Sequence, residues 1–399
     1  MQPAGLHLGA LCHAAGAAVS GGTHARGFDA VRSFAGRDLA EGRRARLAFG
    51  RRGLHRGGRD RLDALIHLRF RYAPGPPFLA TDASILSPAT PLLRDWIDQA
   101  LASERLNAQS LIVTLLGDSI APYGGHFWLK SLIRLAEPLG LNERLVRTSV
   151  FRLTQDGWLR ANRQGRRSEY QLTPEGFSRF EQAHSRIYSA TPEGWDGQWT
   201  LLVMQAGVEA APARLQLRRE LAWEGFVALG PGVLGHPAPR RDALASMLHR
   251  LGLRDQVFVL SAKEIAPLRG RSLQEFATQA WPLDQLASDY EQFIQRFSPL
   301  LSSLEQALAL GQPIPAGPAL LARTLLIHSF RRVQLRDPHL PTALLPPSWP
   351  GTQAYALSAE LYRRLHLAAD AHVLAQLKAE SGFVPPLTPY VFQRFGGLL

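Results

Sequence analysis

The feature that most limits the possible folds is a basic helix followed at once by a basic hairpin, within residues 142–172. The stretch "NERLVRTSVFRLTQDG" predicts a helix that Asn142 caps and Gly157 ends. Its apolar residues recur at helical spacing and predict a buried stripe: Val146, Val150 and Leu153. At about 100° per residue, the opposite face then carries a second set: Arg144, Arg147, Thr148, Phe151 and Arg152. Few acidic residues lie near enough to pair these arginines.

The next stretch, "GWLRANRQGRRSEYQL", alternates in the manner of strands on both sides of Gln164-Gly165, which predicts a hairpin. Arginines cluster around that turn: Arg160, Arg163, Arg166 and Arg167. Thr173-Pro174-Glu175 begins another helix, with a capping threonine and a proline at the first position. Two helices are predicted before the basic one, at Asp95–Gly117 and in "HFWLKSLIRLAEPLG". This order predicts a winged helix-turn-helix in residues 96–190.

An exposed basic helix beside a basic hairpin suits double-stranded DNA. The major groove admits one helix, whose arginines reach guanine edges or phosphates, and a hairpin tip holds phosphates or probes the minor groove. The residues expected to contact DNA are Arg144, Arg147, Thr148, Arg152, Arg163, Arg166 and Arg167. The alternative is a small α+β scaffold whose basic face is only solvated.

The rest of the chain predicts two more domains and an α+β fold class. Residues 195–265 read strand, helix, strands, helix, strand, which suggests a split ferredoxin-like unit. Residues 280–399 are mainly helical, with the proline-rich "DPHLPTALLPPSWPG" between the last two helices.

The amino-terminal residues 1–95 lack such patterns. They are rich in Gly, Ala and Arg, and bury too little apolar surface to offset the entropy of the chain. We expect a disordered basic extension, or one added by a misplaced start codon; a nucleic-acid-binding arm is the alternative.

The net charge of +12 favours a polyanionic partner. The sole cysteine, Cys12, excludes an intrachain disulfide and fits a cytoplasmic location. No apolar run reaches the ~20 residues of a membrane span, and no membrane association is expected.

Two motifs suggest enzymes. Gly117-Asp118-Ser119 follows an apolar run and looks like the nucleophile block of GDSL esterases. Such an enzyme also needs Asp-x-x-His, but Asp337-Pro-His339 and Asp370-Ala-His372 are one residue short. We interpret Ser119 as the end of a helix and keep a serine hydrolase as an alternative.

The second motif, Gly230 to Gly235, matches G-x-G-x-x-G. Two prolines follow where a dinucleotide-binding helix should begin, so we predict only strands and a turn. No Cys or His grouping has zinc spacing, so neither a structural metal nor a cofactor is expected.

Several motifs together resemble the PaaX family, repressors of phenylacetic acid degradation operons. The most specific are "VRTSVFRLTQDGWL" and "GRRSEYQL"; "WDGQWTLLVMQ", "LAWEGFVALGPGVL", "LIHSFRRVQLRDPHLPTALLPPSWPG" and "YVFQRFGGL" also match. The resemblance covers about residues 98 to 399. It implies a Cas2-like, dimer-forming middle domain and a phenylacetyl-CoA effector sensed outside the winged helix.

The expected function is therefore a homodimeric repressor of phenylacetate catabolic genes that phenylacetyl-CoA releases from its operator. A CoA thioester needs apolar walls for the phenyl ring and cations for the phosphates. Residues close in sequence can supply both: Phe330, Arg331, Arg332, Arg336 and His339. Alternatively, Arg331 and Arg332 stabilise a helix end or a domain contact. A non-regulatory nucleic-acid or protein-interaction scaffold is the remaining alternative.

Overall fold

The computed structural model describes residues 89–103, 106–164, 167–190, 194–204, 212–265, 270 and 272–398. The predicted extension 1–95 lies outside the described residues up to position 88. Its last residues belong to helix α1 (Ala89–Ser103), in which Leu93 and Ile97 are buried. Among the described helices, none combines the length and the apolar character needed to cross a bilayer.

The prediction of one helix over Asp95–Gly117 is wrong. Helix α1 ends at Ser103, and α2 (Ala108–Leu115) begins anew after Asn107, whose side chain accepts a hydrogen bond from the Ser110 amide at 3.0 Å. An asparagine that caps the second helix separates two stretches whose apolar spacing alone looks continuous. A π-helical turn, Leu116–Ile120, then extends α2.

The predicted basic helix and hairpin are confirmed. The elements of this part are α3 (Leu129–Ala136), α4 (Glu143–Gln155), α5 (Pro174–Ile187), β1 (His126–Trp128), β2 (Leu159–Gln164) and β3 (Arg167–Leu172). The three strands form an antiparallel sheet in the order β1-β3-β2. The side chain of Asn142 caps α4 and that of Thr173 caps α5, as their sequences predict.

The middle part is a four-stranded antiparallel sheet with two helices. Its elements are β4 (Gln198–Met204), α6 (Pro212–Trp223), β5 (Val227–Gly230), β6 (Val233–His236), α7 (Arg241–Arg250) and β7 (Val257–Lys263). The strand order β5-β6-β4-β7 is that of a ferredoxin-like fold. Gly230 to Gly235 forms the hairpin between β5 and β6, in agreement with the prediction of strands and a turn.

The carboxyl-terminal part is helical, as predicted. It contains α8 (Leu273–Ala280), α9 (Leu283–Ala309), α10 (Ala316–Gln334), α11 (Pro350–Ser381) and a short 3-10 segment, Pro389–Gly396. Its buried residues join those of α1 to α4 in one continuous hydrophobic cluster. The middle part has a second cluster, formed by one face of its sheet and by α6 and α7. The helices near the two ends of the described residues therefore share a core.

Candidate nucleic-acid interface and buried junctions

Helix α4 presents the predicted basic face to solvent. Val146, Val150 and Leu153 are buried against the core. The opposite face is exposed along its length: Arg144, Arg147, Thr148, Phe151 and Arg152. The Phe151 ring is 62% exposed and lies on this basic face. Its position follows from the helical spacing, although it was not among the predicted DNA-contacting residues.

One of the three arginines on this face is paired. Arg147 Nε and Nη2 lie 2.7 and 2.6 Å from Glu143 Oε1, one helical turn earlier. Both side chains are more than half exposed, so the pair contributes at most about 0.5 kcal/mol and is easily exchanged for a phosphate. Within the described residues, Arg144 and Arg152 make no ion pair.

The hairpin brings its basic residues to one end. Strands β2 and β3 pair in register from Leu159–Leu172 to Gln164–Arg167, with Arg163 opposite Ser168. Arg163 and Arg167 are therefore at the turn end of the hairpin by backbone position. Arg166 lies outside the described residues. Nearer the base, Arg160 donates to Gln171 Oε1 at 2.8 Å.

A buried polar junction surrounds Asp118 in the π-helical turn. Arg323 Nε and Arg394 Nη1 each lie 3.0 Å from a carboxylate oxygen of Asp118. The hydroxyls of Tyr188 and Tyr362 donate to Asp118 Oδ1 at 2.7 and 3.0 Å. Burial by itself raises the pKa of Asp118, but the charges of Arg323 and Arg394 hold it below its usual value. Asp118 is therefore ionised and satisfied in the folded protein.

This junction connects distant parts of the chain. Arg323 comes from α10, Tyr362 from α11, and Arg394 from the carboxyl-terminal 3-10 segment. Arg323 also pairs with Asp370 of α11 at 2.7 Å. Moving the turn after α2 away from the carboxyl-terminal helices would separate these ion pairs and leave buried charges uncompensated, which is costly. The junction therefore holds the turn against those helices. A sequence signal for it is the arginine in the mostly apolar stretch "ALLARTLLIHSF".

The serine of the esterase-like motif belongs to the same junction. Ser119 is buried, accepts a hydrogen bond from Arg323 Nη2 at 3.1 Å and donates to Asp118 Oδ2 at 3.3 Å. A nucleophilic serine needs a base that accepts its proton and an opening to the substrate. The Ser119 hydroxyl instead lies inside the protein, and the carboxylate to which it donates is already paired with Arg323 and Arg394, which agrees with the interpretation of this segment as the end of a helix.

Another buried arginine joins α5 to the middle part. Arg186 donates from Nη1 to the backbone oxygen of Trp223 and from Nη2 to that of Asp337 at 2.8 Å. Its guanidinium carbon lies 4.5 Å from the centre of the Trp223 ring. Nearby, His236 Nε2 lies 2.8 Å from the backbone oxygen of Pro338. The segment that contains Asp337 and Pro338 thus touches both α5 and the middle part.

The residues predicted to bind the effector point in several directions. Phe330 is buried among aromatic rings, with the Phe293 ring 5.4 Å away. Arg331 donates to the backbone oxygen of Ser110 and to Thr114 Oγ1, both at 2.8 Å, so it ties α10 to α2.

The other three lie farther along the chain. Arg336 pairs with Asp289 of α9 at 2.8 Å, and Arg332 is exposed. His339 adopts a left-handed backbone conformation with φ of 55°. The contacts of these five residues thus run to different elements, and their role in effector binding stays a prediction. No group of three or more His, Cys, Asp or Glu residues in that part is arranged to hold a metal ion.

Three parts of the chain match known protein families. Residues 107–176 match the family described as PaaX-like protein, residues 192–274 match the PaaX protein central Cas2-like domain, and residues 281–375 match the PaaX-like protein C-terminal domain. The central match agrees with the observed ferredoxin-like strand order.

A curated relative extends this result. Over 306 residues the chain is 37% identical to the "Transcriptional repressor PaaX" of Escherichia coli (strain K12), which covers 77% of this chain and 95% of that protein. The chain belongs to the PaaX family. Among solved structures, an uncharacterized protein from Mycobacterium tuberculosis matches with a TM-score of 0.37 and 22% identity, over 61% of this chain and 89% of that one.

Proposed function

We propose that the chain is a DNA-binding transcriptional repressor whose amino-terminal part is a winged helix-turn-helix. The observation that carries the proposal is the exposed face of α4, which places Arg144, Arg147 and Arg152 beside a hairpin with arginines at its turn end. The order α2, α3, α4, β2, β3, with β1 completing the sheet, supports it. The repressor relative in Escherichia coli supports the same function.

In this proposal α4 enters the major groove. Arg144 and Arg147 reach guanine edges or phosphates, and Thr148 and Arg152 contact the backbone at the rim of the groove. The exposed Phe151 ring supplies an apolar contact that suits a thymine methyl group. At the hairpin, Arg163, Arg166 and Arg167 hold phosphates or enter the minor groove, where no single base is read uniquely.

The repressor is proposed to act as a homodimer. Strand β7 is an edge of the middle sheet, and it leaves Phe258, Val259 and Leu260 exposed by 57, 46 and 48%. An edge strand with free backbone groups and apolar side chains is a surface that another strand can cover. Two copies joined at β7 about a two-fold axis would present two α4 helices to half-sites about 34 Å apart.

The regulated genes are proposed to be those of phenylacetate catabolism, and phenylacetyl-CoA is proposed to release the repressor in the cytoplasm. These statements extend the family resemblance. The test is a DNase footprint on the promoter of the chain's own gene, with and without phenylacetyl-CoA. A two-fold symmetric footprint that phenylacetyl-CoA removes and CoA does not is the expected result. Uniform protection of all DNA would instead favour the non-regulatory scaffold.

A further inference from the structure

Arg240, at the start of α7, connects the carboxyl-terminal end of α5 with the middle part. Its Nη2 and Nε donate to the carboxylate of Glu224, which follows α6, at 2.9 and 3.3 Å. Its Nη1 donates to the hydroxyl of Ser185 on α5 and lies 3.5 Å from the backbone oxygen of Gln182. The side chains of Arg240 and Glu224 are 33 and 10% exposed. A guanidinium holds its donors in a rigid fork, so this one side chain fixes the end of α5 against both helices of the middle part.

The buried side of the same contact is closely packed. Arg186, next to Ser185, donates to the backbone oxygen of Trp223. Two residues later Gly225 has φ of 88°, and a Cβ atom there would come within 2.9 Å of Pro338 Cα. These contacts converge on one short turn after α6, and Arg240 adds a second attachment at the start of α7. Rotation of the middle part about that turn is therefore resisted by Arg240.

Polar contacts, rather than a shared apolar core, set the angle between α5 and the helices α6 and α7. The hydrophobic cluster that these two helices form with the middle sheet contains residues from Leu202 to Val257 only. Among the described residues, the hydrogen bonds that run directly from α5 to the middle part are those of Arg186 and Arg240. The angle is therefore sensitive to a change in either side chain.

Helix α5 is in turn packed directly against the chain that leaves α4. The ring of Trp158, just after α4, makes an edge contact with the Phe180 ring of α5 at 5.6 Å between centres. A Cβ atom on Gly176 would come within 2.4 Å of the backbone oxygen of Trp158. At 1.5 Å per residue, Phe180 and Ser185 are only about 7.5 Å apart along α5. A rotation at the end of α5 is therefore passed on to α4.

We propose that Arg240 is a positioning residue that sets the spacing between the two half-sites of the operator. This inference rests on the proposed homodimeric repressor. In such a dimer the middle part carries the two-fold interface, so the angle between it and α5 fixes where the second α4 meets the DNA. One inserted base pair moves a half-site by about 3.4 Å and turns it by about 34° around the DNA axis. With Arg240 in place the protein does not follow that turn, and without Arg240 it does.

The experiment measures affinity against half-site spacing. Duplexes carry the two half-sites that the footprint defines, with one or two base pairs inserted or removed between them. One inserted base pair should weaken wild-type binding by about 100-fold, because the second half-site is no longer engaged. In Arg240→Ala this penalty should be about tenfold smaller, because a looser joint lets both half-sites be engaged. Affinity for a duplex with a single half-site should stay within about 2-fold of the wild type.

The matched control is Arg364→Ala. Arg364 of α11 pairs with Glu305 of α9 at 3.1 Å, and its side chain is 20% exposed. This pair lies within the carboxyl-terminal part and does not involve α5, so the variant should retain the wild-type penalty. Ser185→Lys tests the same contact from the α5 side by placing a like charge beside Arg240. It should also reduce the penalty, and it replaces Arg240→Ala if that variant fails to fold.

Three outcomes overturn the role of Arg240. In the first, the penalty changes no more in Arg240→Ala or Ser185→Lys than in Arg364→Ala. In the second, Arg240→Ala loses affinity equally at every spacing and on the single half-site. In the third, the wild type gives a specific footprint but binds all spacings alike, which leaves the proposed DNA binding intact. Absence of a specific footprint in the wild type would instead overturn the proposed function itself.

Discussion

The carboxylate of Asp118 lies 3.0 Å from Arg323 Nε, and the two side chains are only 2 and 0% exposed. One residue belongs to the turn after α2 and the other to α10, so this ion pair crosses from the proposed DNA-binding part to the carboxyl-terminal helices. Arg394 of the last 3-10 segment completes the charge balance around the same carboxylate. These buried contacts fix the position of the proposed DNA-binding part relative to the carboxyl-terminal helices.

Replacing Asp118 should destabilise the protein strongly. Asp118→Asn leaves Arg394 without its carboxylate partner and Arg323 with Asp370 alone, and breaking a buried pair costs about 3–5 kcal/mol in the free energy of unfolding. Ser119→Ala removes two hydrogen bonds of a neutral hydroxyl to charged partners, Arg323 and Asp118, and should cost about 1–3 kcal/mol. Urea unfolding of both variants measures this order.

Ser119→Ala should also retain operator binding, and the wild type should hydrolyse no ester. Serine-dependent turnover would contradict the assignment of Ser119.

Acid should destabilise the fold partly through His236. Burial lowers the pKa of His236 to about 4, although its contact with the Pro338 oxygen acts in the opposite direction. Its Nδ1 accepts a hydrogen bond from the Ala238 amide at 3.0 Å, so the neutral ring is the one that fits. A folded-state pKa below the unfolded value of about 6.5 means that unfolding takes up a proton. Stability is then lost as the pH falls from about 6.5 to 4.

The difference between the two pKa values corresponds to about 3 kcal/mol across this window. In His236→Gln, the free energy of unfolding should depend less on pH between 6.5 and 4 than in the wild type. His249→Gln, at an exposed position of α7, should retain the wild-type dependence. Urea unfolding at pH 7 and pH 5 compares the three proteins, and equal slopes in all of them would refute the role of His236.

Arg147→Ala should reduce operator affinity at specific bases. Its side chain is exposed on α4 and is held only by Glu143, so the core is undisturbed. Loss of a base contact should cost about 1–3 kcal/mol, concentrated at one position of each half-site. Binding to operators with single-base changes measures it. Arg179→Ala is a matched control, because Arg179 makes the same i,i+4 pair with Glu175 on α5. Wild-type affinity in Arg147→Ala would remove the main support for α4 as the reading helix.

Arg166→Ala should weaken binding to all sequences alike. A residue at the hairpin turn is expected to hold a phosphate, so its loss reduces the slope of log affinity against log salt by about 1. Thermal stability should stay within about 0.5 kcal/mol of the wild type, as for most surface changes. Titrations at several salt concentrations test this, and a loss confined to one base pair would argue for direct reading instead.

Charges on β7 should separate the proposed dimer. Phe258→Glu combined with Leu260→Glu places like charges on the proposed interface, where the wild type has apolar side chains. Light scattering should report a monomer, and operator affinity should fall because the half-sites are then bound independently. Leu367→Glu on α11, a position 74% exposed, is the control and should not change the mass. A variant that remains dimeric would place the interface elsewhere.

The sequence alone determined the elements whose causes are local. Asn142, Thr173 and Gly157 lie within a few residues of the helix ends they define, and the spacing of Val146, Val150 and Leu153 settles which face of α4 is buried. The succession of strands and helices in the middle part was also readable from the sequence, and it suggested the ferredoxin-like unit whose strand order the structure shows. The boundary between α1 and α2 at Asn107 was not predicted, because apolar residues have a similar spacing on both sides of it. A single capping residue is a weaker signal than a periodic row of apolar residues.

Only the tertiary structure decided the contacts between distant residues. Asp118, Arg323 and Arg394 meet because α2, α10 and the chain end pack in one core, and no local pattern indicates which charges will face each other there. The same packing turned Arg331 toward α2 and left one face of the middle sheet uncovered beside α8. Capping and periodicity act over one or two helical turns, whereas burial of a charge depends on every element that surrounds it.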